Sequence, residues 1–162
     1  DVAELAEHSI NSVVIPANII LVLSNNLADR KAMLDYDQMT QVITNLLKNS
    51  IEAMPDGGTL AFIISGDARE VVITISDTGT GITKENMDQL FTPFFTTKPA
   101  GEGLGLGLPT AYAAVKAHGG SITVESNAAP SDGPTGTTVR VTLPRGEPAT
   151  PETTRVIVHG DD

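Results

Sequence analysis

Cysteine is absent from the chain, which excludes disulfides, thiol catalysis and cysteine-ligated zinc and is compatible with a reducing compartment. Tryptophan is absent too, and aromatics make up 4% of the residues, so Leu, Ile and Val must fill any core. Basic residues are scarce: 10 Lys and Arg stand against 20 Asp and Glu, for a formal charge of -10. Such a surface repels nucleic acid and anionic membrane, which argues against either as a direct partner. A phosphate ligand would then have to be held by backbone amides, a metal or a few placed cations. No apolar run is long enough to cross a bilayer. The longest, residues 13–23, is broken by Pro16 and Asn18, and a span needs about 20 apolar residues. No signal peptide is visible, and the chain opens on helix-like sequence without an initiator Met, as an excised segment would.

What is present suits one domain with a tail: 162 residues, 40% of them apolar, with 15 glycines and 10 prolines to turn the chain. Residues 1–14 have helical character. Residues 19–24 and 31–35 are short apolar runs separated by Asn25, Asn26 and Asp29, which predicts a hairpin. Between residues 37 and 54, Met39, Val42, Ile43, Leu46, Leu47, Ile51 and Met54 recur at helical spacing, and Pro55 to Gly58 stop the helix. Residues 59–65 and 70–76 form a strand pair around Gly66-Asp67, and residues 84–90 a short helix. The aperiodic stretch 91–103 has the length of a functional or mobile loop. A helix over 104–118 ends at Gly119-Gly120, and strands over 121–126 and 137–143 follow, joined by a polar loop. The domain is expected to cover residues 1–144, with a Pro- and Thr-containing linker over 145–155 and a tail over 156–162.

Three constellations carry chemistry. On the long helix, Asn45, Asn49 and Glu52 fall within a sector of roughly 60° beside the apolar arc. Two carboxamides and a carboxylate there suit a hard cation such as Mg²⁺, although a solvated helix face would read the same way. Second, an alternating strand delivers Asp77 into a turn where Gly79 and Gly81 permit close backbone approach. A carboxylate so placed can accept a hydrogen bond from an exocyclic amine such as adenine's. The same Asp-Thr-Gly also occurs in aspartic proteases. Those need two aspartates on an almost all-β body, whereas this chain has one such triplet and three substantial helices. Third, Gly101, Gly103, Gly105 and Gly107 precede a helix, where exposed N–H groups and the helix dipole favour an anion. The run is neither the dinucleotide fingerprint, since Leu108 stands at its third Gly, nor a Walker A loop, since no Gly-Lys-Ser/Thr follows.

The order Asn-x-x-x-Asn, Asp-x-Gly-x-Gly, Phe-x-Pro-Phe-Phe and Gly-x-Gly-Leu-Gly-Leu resembles the gyrase, heat-shock chaperone, histidine kinase and mismatch-repair ATPase superfamily. The stretches 45–54 and 91–98, with His118-Gly-Gly120 and Gly136-Thr-Thr138, are most similar to sensor histidine kinases of the nitrogen-regulation type. The resemblance covers residues 1–144. It implies an α/β two-layer sandwich of the Bergerat type, with a mixed sheet of about five strands covered on one face by three helices. It implies ATP and Mg²⁺ as ligands: Asn49 on the metal with Asn45 in support, Asp77 on the adenine amino group, and Gly79 and Gly81 close to the base. Residues 91–103 become a lid anchored by Phe91, Phe94 and Phe95. Gly103, Leu104, Gly105 and Leu106 present amides to the phosphates, and Lys98 reaches the γ-phosphate. Hydrolysing members of the superfamily carry Glu at the position of Asn45. An amide cannot take a proton from water, so hydrolysis should be slow and the γ-phosphate kept for transfer. Glu102 departs from the pattern by placing a negative charge beside the phosphates.

The activity implied is transfer of the ATP γ-phosphate to a histidine on a separate dimerisation domain of a homodimeric, cytoplasmic or membrane-anchored kinase, serving a response regulator or receiver domain. None of His8, His118 and His159 stands in the acceptor pattern, and His118, at a helix end where the dipole favours a cation, has a bland role. The ending at residues 155–162 resembles the opening strand and acidic pair of a receiver domain, as in a hybrid kinase, or is a boundary without meaning. Two rival readings share the fold: a catalytically silent nucleotide sensor, for which Glu102 argues, and an anti-sigma-type serine kinase, against which the Phe-Phe-Thr-Thr-Lys98 lid argues.

Overall fold

A computed structural model describes residues 1–96 and 107–146. Its longest element, a helix over Tyr36–Glu52, follows the predicted periodicity: Met39, Val42, Ile43, Leu46, Leu47 and Ser50 are its buried positions. Asp35 caps it, the side chain accepting from Gln38 N–H at 2.9 Å, which satisfies one of the free donors of the first turn. In chain order the elements are α1 (Val2–Asn11), β1 (Ile19–Asn25), α2 (Tyr36–Glu52), β2 (Gly58–Gly66), β3 (Glu70–Asp77), α3 (Lys84–Met87), α4 (Gly107–Ala117), β4 (Ser121–Asn127) and β5 (Gly136–Pro144).

The five strands form one mixed sheet in the order β1-β2-β3-β5-β4. β1 lies parallel to β2, and the other neighbours are antiparallel. Because side chains alternate along a strand, Leu60, Phe62 and Ile64 of β2, Val71, Ile73 and Ile75 of β3, and Val139, Val141 and Leu143 of β5 all reach one buried face. There they join Val2 and Leu5 of α1, the apolar arc of α2, and Ala111 and Val115 of α4 in a single core. The two-layer sandwich with helices on one face is therefore the observed architecture. No helix among the described residues is long and apolar enough to cross a membrane.

Two expectations are corrected. Residues 31–35 do not pair with β1 as a hairpin. β1 runs instead in parallel register with β2, from Ile19 opposite Gly58 to Asn25 opposite Ile64, and α2 makes the crossover that parallel pairing requires. Asn25, read as part of a hairpin turn, closes a local turn by accepting from Leu27 N–H at 3.1 Å. His118, in turn, is no helix-end cation. Its Nε2 accepts from Asp35 N–H at 3.0 Å while Nδ1 faces the Ala114 carbonyl at 2.7 Å, a geometry that needs the neutral ring protonated on Nδ1. The imidazole thereby ties the end of α4 to the cap of α2.

The expected linker over 145–155 and tail over 156–162 lie outside the described residues, except for Arg145 and Gly146. Arg145 is firmly held. Its N–H donates to the Arg69 carbonyl at 2.9 Å, its carbonyl accepts from Met33 N–H at 3.0 Å, and its guanidinium bonds the Lys31 carbonyl at 2.8 Å and the Asp67 carbonyl. The Asp29 carboxylate lies 3.9 Å away. Truncating this side chain strands two carbonyls that share one donor group. Arg145→Ala is expected to lower stability by about 1.5–3 kcal/mol, read as an earlier urea midpoint with unchanged slope. A midpoint equal to wild type would show the clamp to be idle.

Candidate nucleotide-binding site

The site begins with the alternation of β3. Val71, Ile73, Ile75 and Asp77 occupy the same face, so the period that buries three aliphatic side chains also turns a carboxylate inward at the strand's end. Asp77 is 6% exposed. Its Oδ1 accepts from Gly79 N–H at 2.9 Å and from Thr137 N–H at 3.2 Å, the latter donor arriving because β3 and β5 pair Asp77 with Thr137. Ser50 of α2 adds a side-chain hydrogen bond. Burial pushes the carboxyl above its ordinary value of 3.8, and the hydrogen bonds from Gly79, Ser50 and Thr137 oppose that rise without cancelling it.

This carboxylate forms part of the wall of a cavity of about 680 Å³, within the range of small-molecule sites. One wall is the face of α2, with Asn45, Lys48, Asn49 and Glu52. Thr80, Gly81, Ile82 and Thr83 contribute a second, Val124, Thr137 and Val139 a third, and the first turn of α4 (Gly107, Leu108, Pro109) faces Asn45, whose Cγ lies 3.9 Å from the position of a Cβ on Gly107. Phe95 and Thr96 close part of the rim. Apolar side chains such as Leu46, Ile82, Leu90, Leu108, Val124 and Val139 share the lining with Asp77 and the amides of α2.

The structure thus brings together Asn45, Asn49, Asp77 and Gly81, which the sequence places far apart. Gly79 and Phe91 are not among the lining residues. A side chain on Gly79 would strike the Ala53 carbonyl, and one on Gly81, whose φ is +73°, the Asn127 carbonyl. Both glycines are therefore demanded by the protein's own backbone, whatever a ligand requires. Phe91 packs on the core and against Tyr112, with ring centroids 4.9 Å apart, and Phe94 is 73% exposed with a φ of +66°, so Phe95 is the aromatic of this segment that reaches the cavity. Lys98, Gly103, Leu104, Gly105 and Leu106, like Glu102, lie outside the described residues.

Sequence reasoning passed over three wall residues. Ser50, 4% exposed, sits inside the apolar arc of α2, and a polar residue at a core position was a readable sign of a buried partner. Lys48 shares the α2 face with Asn45 and Asn49. Thr137 had no local sign, because only strand register brings its N–H to Asp77. Among the described residues no group of three His, Cys, Asp or Glu gathers to hold a metal by itself. The side-chain oxygens of Asn45 and Asn49 fit a hard cation that takes its remaining ligands from phosphate and water, the usual arrangement for Mg²⁺.

A mixed sheet covered by helices on one face, with its cavity between that layer and the end of β3, is the Bergerat-type fold of histidine kinase catalytic domains. The chain belongs to the family described as "Histidine kinase-, DNA gyrase B-, and HSP90-like ATPase", which matches residues 34–147. Sporulation kinase A of Bacillus subtilis (strain 168) is 42% identical over 93 residues, which are 57% of this chain and 15% of that protein. Sensor histidine kinase ZraS of Escherichia coli (strain K12) is 38% identical over 129 residues, 78% of this chain and 27% of that protein. The chain thus spans less than a third of the length of these relatives. Among solved structures, a nucleotide-free catalytic domain of histidine kinase ThkA superposes with a TM-score of 0.73 at 26% identity, covering 89% of this chain and 92% of that one. Full-length ShkA in complex with AMPPNP has a TM-score of 0.75 at 19% identity, a likeness of fold, covering 93% of this chain and 31% of that one.

Proposed function

We propose that residues 1–144 form the ATP-binding catalytic domain of a two-component sensor histidine kinase. The domain donates the γ-phosphate of ATP to a histidine on a separate dimerisation domain of a homodimeric parent. The observation that carries the reading is the buried carboxylate of Asp77 in the wall of a cavity that the α2 amides Asn45 and Asn49 also line. Asp77 accepts from the adenine amino group, and the aliphatic walls take the purine faces. Asn49, supported by Asn45, would be the protein ligand of the Mg²⁺ carried by the triphosphate. The ion held there would supply charge neutralisation for the phosphoryl group in transfer.

In the transfer step a nitrogen of the acceptor imidazole forms a bond to the γ-phosphorus. The bond from that phosphorus to the β,γ-bridging oxygen breaks, ADP leaves, and the proton of the imidazole passes to solvent. Asn45 is an amide and takes no proton from water, so the γ-phosphate awaits the acceptor instead of being hydrolysed. The likeness to ZraS and the nitrogen-type lid motif support a member of that subfamily, acting in the cytoplasm on a response regulator or receiver domain.

The reading is tested by titrating ATP with and without Mg²⁺, then adding a fragment bearing the acceptor helices and assaying acid-labile phosphate. Mg²⁺-dependent binding, little hydrolysis alone and phosphohistidine on the added fragment are expected. Absence of ATP binding would remove the kinase reading. Binding without transfer would leave a nucleotide sensor.

A further inference from the structure

The described walls of the cavity offer little positive charge to its proposed ligand. Asp77 lines it, and a triphosphate would bring further negative charge. Among the described lining residues Lys48 is the one lysine or arginine. It lies on α2 three residues after Asn45 and beside Asn49, so the helix repeat puts its side chain on the flank of the amide pair. The residue is exposed, and its ammonium has no hydrogen-bond or ion-pair partner among the described residues. A flexible four-carbon stem carrying an uncommitted point charge can turn inward to a phosphate without breaking any existing contact.

Resting on the nucleotide reading above, we infer that Lys48 is a phosphate-binding residue. It meets the β- or γ-phosphate of the bound nucleotide. It also supplies from a rigid helix a cation that the net charge of -10 makes scarce elsewhere. Purine recognition, through Asp77, is independent of it.

The test measures the affinities of adenosine, ADP and ATP for the chain and its Lys48→Gln and Lys48→Arg variants at one low salt concentration. For Lys48→Gln, ATP affinity is expected to fall between about 10- and 100-fold, the range of a charge-assisted phosphate contact. Adenosine affinity should stay within about twofold of wild type, and Lys48→Arg should restore most of the ATP affinity. Equal losses for adenosine and ATP would mean a packing defect, and unchanged ATP affinity would mean a lysine that only faces solvent. Either result overturns the assignment while leaving the nucleotide reading in place. A wild-type chain that binds neither adenosine nor ATP overturns both.

Discussion

Asp77→Asn is expected to lose its preference for adenine nucleotides while keeping its fold. The Asn carbonyl oxygen can still accept from Gly79 N–H and Thr137 N–H, so the turn after β3 and the β3–β5 register survive. What changes is the half of the group that meets the ligand: an NH₂ donor would face the adenine amino donor. Losing a hydrogen bond to a charged acceptor and leaving two donors opposed costs about 3 kcal/mol or more, a fall in ATP affinity of roughly 100-fold or greater. Competition between ATP and GTP reads the selectivity directly. A variant that still prefers ATP would deprive Asp77 of its role.

The same substitution has a stability consequence of opposite sign. Burial raises the Asp77 carboxyl above 3.8, so over the interval between that value and the raised one the folded chain holds a proton that the unfolded chain has lost. Wild-type stability therefore falls as pH climbs from 3.8 through the raised value, and the cost persists at higher pH. Asp77→Asn lacks this term. Its urea midpoint at neutral pH should match or exceed wild type, with the advantage shrinking toward acid pH. A wild-type chain that instead loses ATP affinity in mild acid, at higher pH than an ordinary aspartate would, follows from the same raised carboxyl. The asparagine variant should show no such acid limb.

Asn49→Ala carries the second large effect. The amide stands half-buried on the α2 face that lines the cavity, away from the helix's core arc. Removing it takes away the proposed protein ligand of the metal while leaving purine contacts intact. The tightening of ATP binding by Mg²⁺ should disappear, and transfer to the acceptor histidine should fall by roughly 10²–10³-fold, the scale of losing metal stabilisation of phosphoryl charge. Adenosine affinity and the urea midpoint should hardly move, since the change lies outside the core and surface-facing substitutions usually cost within about 0.5 kcal/mol. Transfer at the wild-type rate would refute the assignment.

The amphipathic spacing of α2 and the alternation of β3 were legible because both are local periods, readable over a few turns or residues. They placed Asn45 and Asn49 on one helix face and Asp77 at a strand end without reference to any partner. The glycines of the turn were legible as necessary, but the reason was not. Their missing side chains make room for the Ala53 and Asn127 carbonyls, which come from segments distant in sequence.

Local pattern therefore determined most elements of this protein, their polarity and the kinds of group each presents. Tertiary structure decided which groups meet. It took residues 31–35 out of the sheet and gave β1 a parallel partner across α2. It set a neutral His118 between α4 and α2, brought Ser50 and Thr137 to the carboxylate of Asp77, and turned Phe95 instead of Phe91 to the cavity. The physical reason is one of range. Helical and strand periods arise from neighbours on the chain, whereas strand order, register and the desolvation of Asp77 depend on free energies that exist only once distant segments share one core.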